Sequence, residues 1–190
     1  MGLVRYVSHP NVVVDPGVPV PQWGLSELGR QRFAVMLARP WVPAIGRVIA
    51  SSETKSLEAA TMLATHLGLE VEVRPATGEI DRSATGYLPA AEHERVADAL
   101  FAHPDVSASG WEIATGAQAR IVAALDDVLS AAATDGDIAV IGHGAVGTLW
   151  WCHLAAEPID RRWDQPGQGH LITVDGATRR PLHHWLAIDS

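Results

Sequence analysis

Short β-branched runs alternate with longer stretches of helical apolar spacing along almost the whole chain, and no other feature restricts the fold as much. "LVRYV" (Leu3 to Val7), "RVIAS" (Arg47 to Ser51), "LEVEVRP" (Leu69 to Pro75) and "DIAVIG" (Asp137 to Gly142) read as strands. Between them lie five helical stretches. "SELGRQRFAVMLAR" has Ser26 as its N-cap. "ETKSLEAATMLATHL" has Ser52 as its cap and Gly68 as its stop. "AAEHERVADALFAH" is closed by Pro104, "ATGAQARIVAALDDVLSAAA" is followed by a turn at Asp135 and Gly136, and "AVGTLWWCHLAA" comes last. Such alternation predicts an α/β fold, a three-layer α/β/α sandwich on a mostly parallel sheet. "HLITVDGATRRPLHHWLAI" adds a strand pair turning at Asp175 and Gly176, which would form an antiparallel edge. Residues 1–190 read as a single domain, with 76–110 as a cap or active-site insertion.

Composition narrows the classes of function. The chain of 190 residues is 47% hydrophobic and 19% charged, which suits a packed core rather than disorder. A formal net charge of -8 argues against nucleic acid as a partner. It leaves room for a small phosphorylated molecule, or a phosphoprotein, held by a local basic pocket. Cys152 is the single cysteine, so no intrachain disulfide forms and a cytoplasmic location is expected. No signal-like leader opens the chain, and no apolar run reaches the ~18 residues needed to span a bilayer, so no membrane partner is expected. The tryptophan-rich C-terminal third offers an apolar surface for a homodimer.

Ligands of such sheets bind outside the carboxyl ends of the strands. The first strand delivers Ser8 and His9 there. The second delivers Ser51, Ser52 and then Lys55 on a helical first turn. Glu79 follows the third strand, and "DIAVIG" delivers His143 and Gly144 at a helix N-terminus. Two imidazoles, a lysine, a carboxylate and free helix N–H groups suit phosphoryl transfer. A neutral imidazole can attack phosphorus, cations and N–H groups can hold the equatorial oxygens, and a carboxylic acid can protonate the leaving oxygen.

These residues, in this order, resemble the histidine phosphatase superfamily, the phosphoglycerate mutase-like proteins. "YVSHP" stands where the family shows a strand ending in Arg-His-Gly. "LSELG" matches its Leu-Thr/Ser-x-x-Gly helix start. "SSETKSLEAA" follows its Ser-Pro-Leu-x-Arg-Ala-x-x-Thr-Ala signature with Lys55 at the arginine. "EID" (Glu79 to Asp81) matches the acid segment, "WEI" with Arg120 approximates a Gly-Glu-Ser lead-in, and "IGHGAVGTL" carries the second histidine. The resemblance implies a metal-independent phosphomonoesterase without cofactor. Its catalytic residues would be His9 as nucleophile, His143 and Glu79. Lys55, Ser8 and Gly144 would bind phosphate, and Asn11, Arg82 and His170 would lie near the pocket.

The departures are chemical. Ser8 and Lys55 replace two arginines whose guanidinium forks would clamp phosphate. Arg5, Arg82 and Arg120 are the candidate replacements. A register aligning "VRY" with the family's "VRH" would put Tyr6 at the nucleophile, end the strand early and leave His9 in the loop. Two other readings remain open. One is a catalytically weak or inactive relative that binds a phospho-ligand or a protein partner. The other is a dinucleotide-binding turn, because "GHGAVG" (Gly142 to Gly147) satisfies Gly-x-Gly-x-x-Gly between a strand and a helix. On a regular strand His183 and His184 would face opposite sides and form no metal pair.

Overall fold

The computed structural model describes residues 2–130 and 136–190. In chain order the elements are β1 (Leu3–Ser8), α1 (Glu27–Leu37), β2 (Ile45–Ala50), α2 (Thr54–Leu67), β3 (Val71–Val73), α3 (Ala90–Ala102), α4 (Ala114–Ser130), β4 (Asp137–Gly142), α5 (Gly144–Ala155), β5 (His170–Asp175) and β6 (Leu186–Ala187). The expected turn at Asp135 and the last residues of the fourth helical stretch lie outside the described residues.

The strands form one six-stranded sheet in the order β3-β2-β4-β1-β5-β6. β1, β2, β3 and β4 run parallel, while β5 and β6 add antiparallel pairs at one edge. The three-layer reading of the sequence therefore holds. β1 and β4 are central and covered on both faces, so both are apolar nearly throughout. One face packs under α1 and α2, through Val7, Phe33, Met36, Val48, Leu63 and Ile141. The other packs under α4 and α5, through Tyr6, Ile121, Leu125, Val140, Leu149 and Trp150. Truncating one of these large buried side chains, such as Phe33, to alanine typically costs about 3–5 kcal/mol.

Element ends follow local chemistry, with two differences. Ser26 caps α1, its hydroxyl accepting from Gly29 N–H at 3.1 Å. Gly29 itself packs on the Asn11 carbonyl, where a Cβ would collide. Gly68 ends α2 in the left-handed conformation at φ 67°. Ser52, however, is not the cap of α2. The extended cap residue is Glu53, whose side chain is drawn into tertiary contacts instead. The final strand is also far shorter than its sequence suggests. Pro181 makes an isolated antiparallel bridge to Val174, and the strand proper is only Leu186–Ala187, so His183 and His184 lie before it, not on it. Each imidazole has its own partner: His183 Nε2 bonds Thr173 Oγ1 at 2.8 Å, and His184 Nε2 bonds the Trp163 carbonyl at 2.7 Å.

Candidate active site

The chain leaves β1 toward one face of the sheet and β4 toward the other, so a crevice opens at their adjacent carboxyl ends. The His9 N–H donates to the Gly142 carbonyl at 2.9 Å and ties the two tips together. His9 and His143 then meet edge to face, ring centroids 5.3 Å apart. Behind them the Tyr6 hydroxyl donates to the His143 carbonyl and accepts from the His143 N–H, both at 3.0 Å. Tyr6 is a fully buried core residue, which disposes of the register that made it a nucleophile.

His9 is buried except for 8% of its surface. Its Nδ1 lies 2.9 Å from the Pro10 carbonyl, which can only accept, so Nδ1 carries the proton and Nε2 the lone pair. Burial is the main force on this imidazole and pushes its pKa down to about 4. His9 is thus neutral at pH 7. His143 is fully buried and also held neutral by burial. Its Nε2 is engaged by the Ser51 hydroxyl at 2.7 Å and lies 3.4 Å from Glu53 Oε1.

Glu53 is the residue that sequence reasoning missed. Its carboxylate accepts from Lys55 Nζ through one oxygen and from the Glu79 N–H at 2.9 Å through the other. Burial pushes the carboxyl up, but the Lys55 ammonium and the Glu79 N–H outweigh it and hold it below the ordinary carboxylate range. Lys55 is itself buried, and Nζ also donates to the Val20 carbonyl at 3.0 Å. The only sequence signal was an acidic residue two positions before a buried-site lysine, at a strand-to-helix turn.

Glu79 hangs from a loop braced by Arg120, whose guanidinium donates to the Gly78 carbonyl at 2.9 Å and the Glu79 carbonyl at 3.2 Å. The Glu79 carboxyl accepts from the N–H groups of Ile80, Val146 and Ala145 at 3.0, 3.1 and 3.2 Å. Burial dominates and raises its pKa above the ordinary carboxylate value. This corrects one expectation. The N–H groups of Ala145 and Val146 at the start of α5 are occupied by Glu79 and are not free to hold phosphate.

Arg82 reaches the site from the following loop. Its Nη1 donates to His93 Nε2 at 2.6 Å, and its guanidinium lies 5.9 Å over the Trp111 ring. The partner is an imidazole whose pKa burial lowers, so the charge of Arg82 is not cancelled by it. Arg5 and Arg120 do not serve. Arg5 bonds Thr173 and Asp137, and Arg120 pairs with Glu112.

Three expected pocket residues face elsewhere. Ser8 is completely buried. Its hydroxyl accepts from the His170 N–H at 3.0 Å, so its own proton goes to an acceptor, Gln165 Oε1 at 2.5 Å. Asn11 Oδ1 is taken by Arg32 at 2.8 Å. His170 turns its Nδ1 to the Gly167 carbonyl at 2.7 Å. Each satisfies a local backbone or side-chain need away from the crevice. With its oxygen anchored on Ser8, the Gln165 amide directs its NH2 across Gly144, where a Cβ would collide with it.

A cavity of about 580 Å³ opens over these groups, lined on its polar side by His9, Lys55, Glu79, Arg82, Gly144 and Gln165. The "GHGAVG" glycines have structural reasons that need no dinucleotide. Gly142 and Gly147 make room for the Tyr6 ring, Gly147 also for Trp185, and Gly144 for Gln165. The helix N-terminus, where a pyrophosphate would sit, is filled by Glu79.

A sequence model of the histidine phosphatase superfamily (branch 1) matches residues 20–182. No curated protein matches the sequence. Among solved structures, a mycobacterial glucosyl-3-phosphoglycerate phosphatase in complex with inorganic phosphate is similar, with a TM-score of 0.80, 15% identity and 100% of both chains covered. Bacillus stearothermophilus YhfR follows at 0.77 and 17%, covering 100% of this chain and 98% of its own. A putative alpha-ribazole-5'-P phosphatase from Escherichia coli has 0.76 and 15%, covering 98% and 97%.

Proposed function

Because the chain belongs to the histidine phosphatase superfamily, we propose that it is a phosphomonoesterase working on a small phosphorylated molecule through a phosphohistidine at His9. The observation that carries this reading is the fixed tautomer of a neutral, cavity-lining His9, with its Nε2 lone pair available. Nε2 attacks phosphorus, forming an N–P bond as the bond to the ester oxygen breaks. The departing oxygen takes the proton of Glu79, whose burial raises its pKa and favours the protonated form. Water then attacks the phosphohistidine, giving its proton to the Glu79 carboxylate and returning the N–P electron pair to Nε2. Lys55, Arg82 and the Gln165 amide hold the phosphoryl oxygens where two arginines would stand in the family pattern. His143 is held against the attacking ring by Ser51 and Glu53.

One observation favours a second reading, a relative that binds a phospho-ligand without turnover. Lys55 is already paired with the Glu53 carboxylate, which weakens its pull on a phosphate dianion. Chemical trapping separates the two. A phosphate ester, rapid quenching and phosphopeptide mapping should yield acid-labile phosphate on His9. Binding of inorganic phosphate with neither labelling nor turnover would establish the second reading.

A further inference from the structure

The rest of the cavity wall is largely apolar and aromatic, with Val20, Trp23, Tyr87, Leu100, Phe101 and Trp111. The indoles turn their polar atoms away. Trp23 Nε1 donates to the Asp15 carbonyl at 2.9 Å, and Trp111 Nε1 donates to Thr85 Oγ1 at 2.9 Å. Trp23 and Tyr87 stand 6.0 Å apart, centroid to centroid, at the mouth. Part of the lining is acidic: Arg161 is met there by the lining residues Glu94 at 2.6 Å and Asp164 at 3.2 Å, and by Asp98, outside the lining, at 3.5 Å. Three carboxyl groups thus surround one guanidinium, and burial pushes that of Asp164 up. The cations acting on His9 are Lys55, paired with Glu53, and Arg82, whose side-chain partner is the imidazole of His93.

From this distribution, and resting on the phosphatase reading above, we infer that the substrate is a phosphate monoester of an apolar, ring-bearing alcohol that carries no second anionic group. One end of the cavity accommodates a single phosphoryl group. The apolar wall removes surface from water, and the carboxyl groups around Arg161 disfavour a carboxylate or a second phosphate. The volume falls within the roughly 300–1,000 Å³ of small-molecule sites.

The test compares 2-phenylethyl phosphate, glycerol 3-phosphate and 3-phosphoglycerate on the full chain. All are alkyl esters with leaving alcohols of similar basicity, so differences in kcat/KM report recognition. The expected order places 2-phenylethyl phosphate about ten- to a hundredfold above glycerol 3-phosphate, with 3-phosphoglycerate lowest. Tyr87→Ser, on the exposed rim, should raise KM for the phenylethyl ester several-fold and leave glycerol 3-phosphate unchanged. The double variant Glu94→Gln with Asp98→Asn should raise 3-phosphoglycerate relative to glycerol 3-phosphate. Equal rates, or a preference for 3-phosphoglycerate, would overturn the inference while leaving the phosphatase intact. If no ester is hydrolysed and His9 stays unlabelled, the phosphatase reading falls alone. The affinities of the same three esters, read from tryptophan fluorescence, then decide the ligand class by the same order.

Discussion

The two histidines at the sheet edge are held in opposite ways. His9 is fixed from one side by a carbonyl one residue away, which sets its tautomer and leaves the other nitrogen to the cavity. His143 has no accessible surface, and its Nε2 is engaged from a neighbouring strand end by Ser51 and Glu53. The contrast lies in which nitrogen is engaged and by what. A nucleophile needs a lone pair pointing at solvent or substrate, and only the β1 histidine has one so placed. The histidine after β4 is positioned by Ser51, 92 residues away in sequence, and by Glu53 from the same turn.

The sharpest way to break this comparison is to exchange the roles. His9→Ala should abolish both turnover and acid-labile labelling. His143→Asn should keep the label on His9 while slowing its formation by about 10²–10³-fold. Label appearing on position 143 in the His9 variant would reverse the assignment. Glu79→Gln comes next, lowering kcat for alkyl esters by about 10²–10⁴-fold. Formation of the phosphohistidine from a dinitrophenyl ester should be spared, since its leaving group needs no proton, whereas release of phosphate from His9 should slow for every ester.

The pH profile sharpens the same contrast. His9 attacks only when neutral, so kcat/KM should rise through about pH 4. Glu79 donates only when protonated, so activity should decline once pH exceeds its raised pKa. The optimum therefore falls on the acidic side of what an unperturbed imidazole would give, and with the dinitrophenyl ester, which needs no proton, kcat/KM should lack the alkaline limb already in wild type. Stability follows the same groups. A His9 pKa depressed from 6.5 to about 4 means the unfolded chain binds more protons in that interval. Its contribution is fully present above 6.5 and is lost as pH falls through about 4. Urea midpoints measured across that window should drop in wild type and drop less in His9→Gln.

Smaller effects test the scaffold behind the rings. Gly147→Ala would push a Cβ into Tyr6 and Trp185, and should cost about 1–3 kcal/mol in thermal or urea unfolding. Ser51→Ala removes one hydrogen bond to His143 and should cost about 1 kcal/mol, with kcat falling and KM nearly unchanged. A KM effect as large as the kcat effect would show that Ser51 touches substrate instead of positioning His143.

Much of the architecture was legible in local pattern. Strand and helix alternation, Ser26 as a cap, Gly68 as a stop and the histidines at two strand tips all depend on neighbours a few residues apart. The short β6 was not legible, because "RRPLHHW" has strand-like spacing but its histidines bond β5 and the 161–163 turn individually. Ser8 looked like a pocket residue because it precedes His9. Alternation along β1 and the reach of the 165–170 loop turn it inward.

The carboxyl-end address of His9, His143, Lys55 and Glu79 is thus written in the order of the chain, since a parallel sheet delivers strand ends to one edge whatever else surrounds them. The electrostatics of that edge are not. Glu53 beside Lys55, Arg82 against His93, the Gln165 amide anchored on Ser8 and Glu79 across the start of α5 join residues two to 157 positions apart. Such contacts are set by how loops cross over the sheet. Their consequences, a neutral imidazole at His9, a Glu53 carboxyl held low and a Glu79 carboxyl pushed up within one crevice, arise from burial and contacts that no single segment possesses before the layers close.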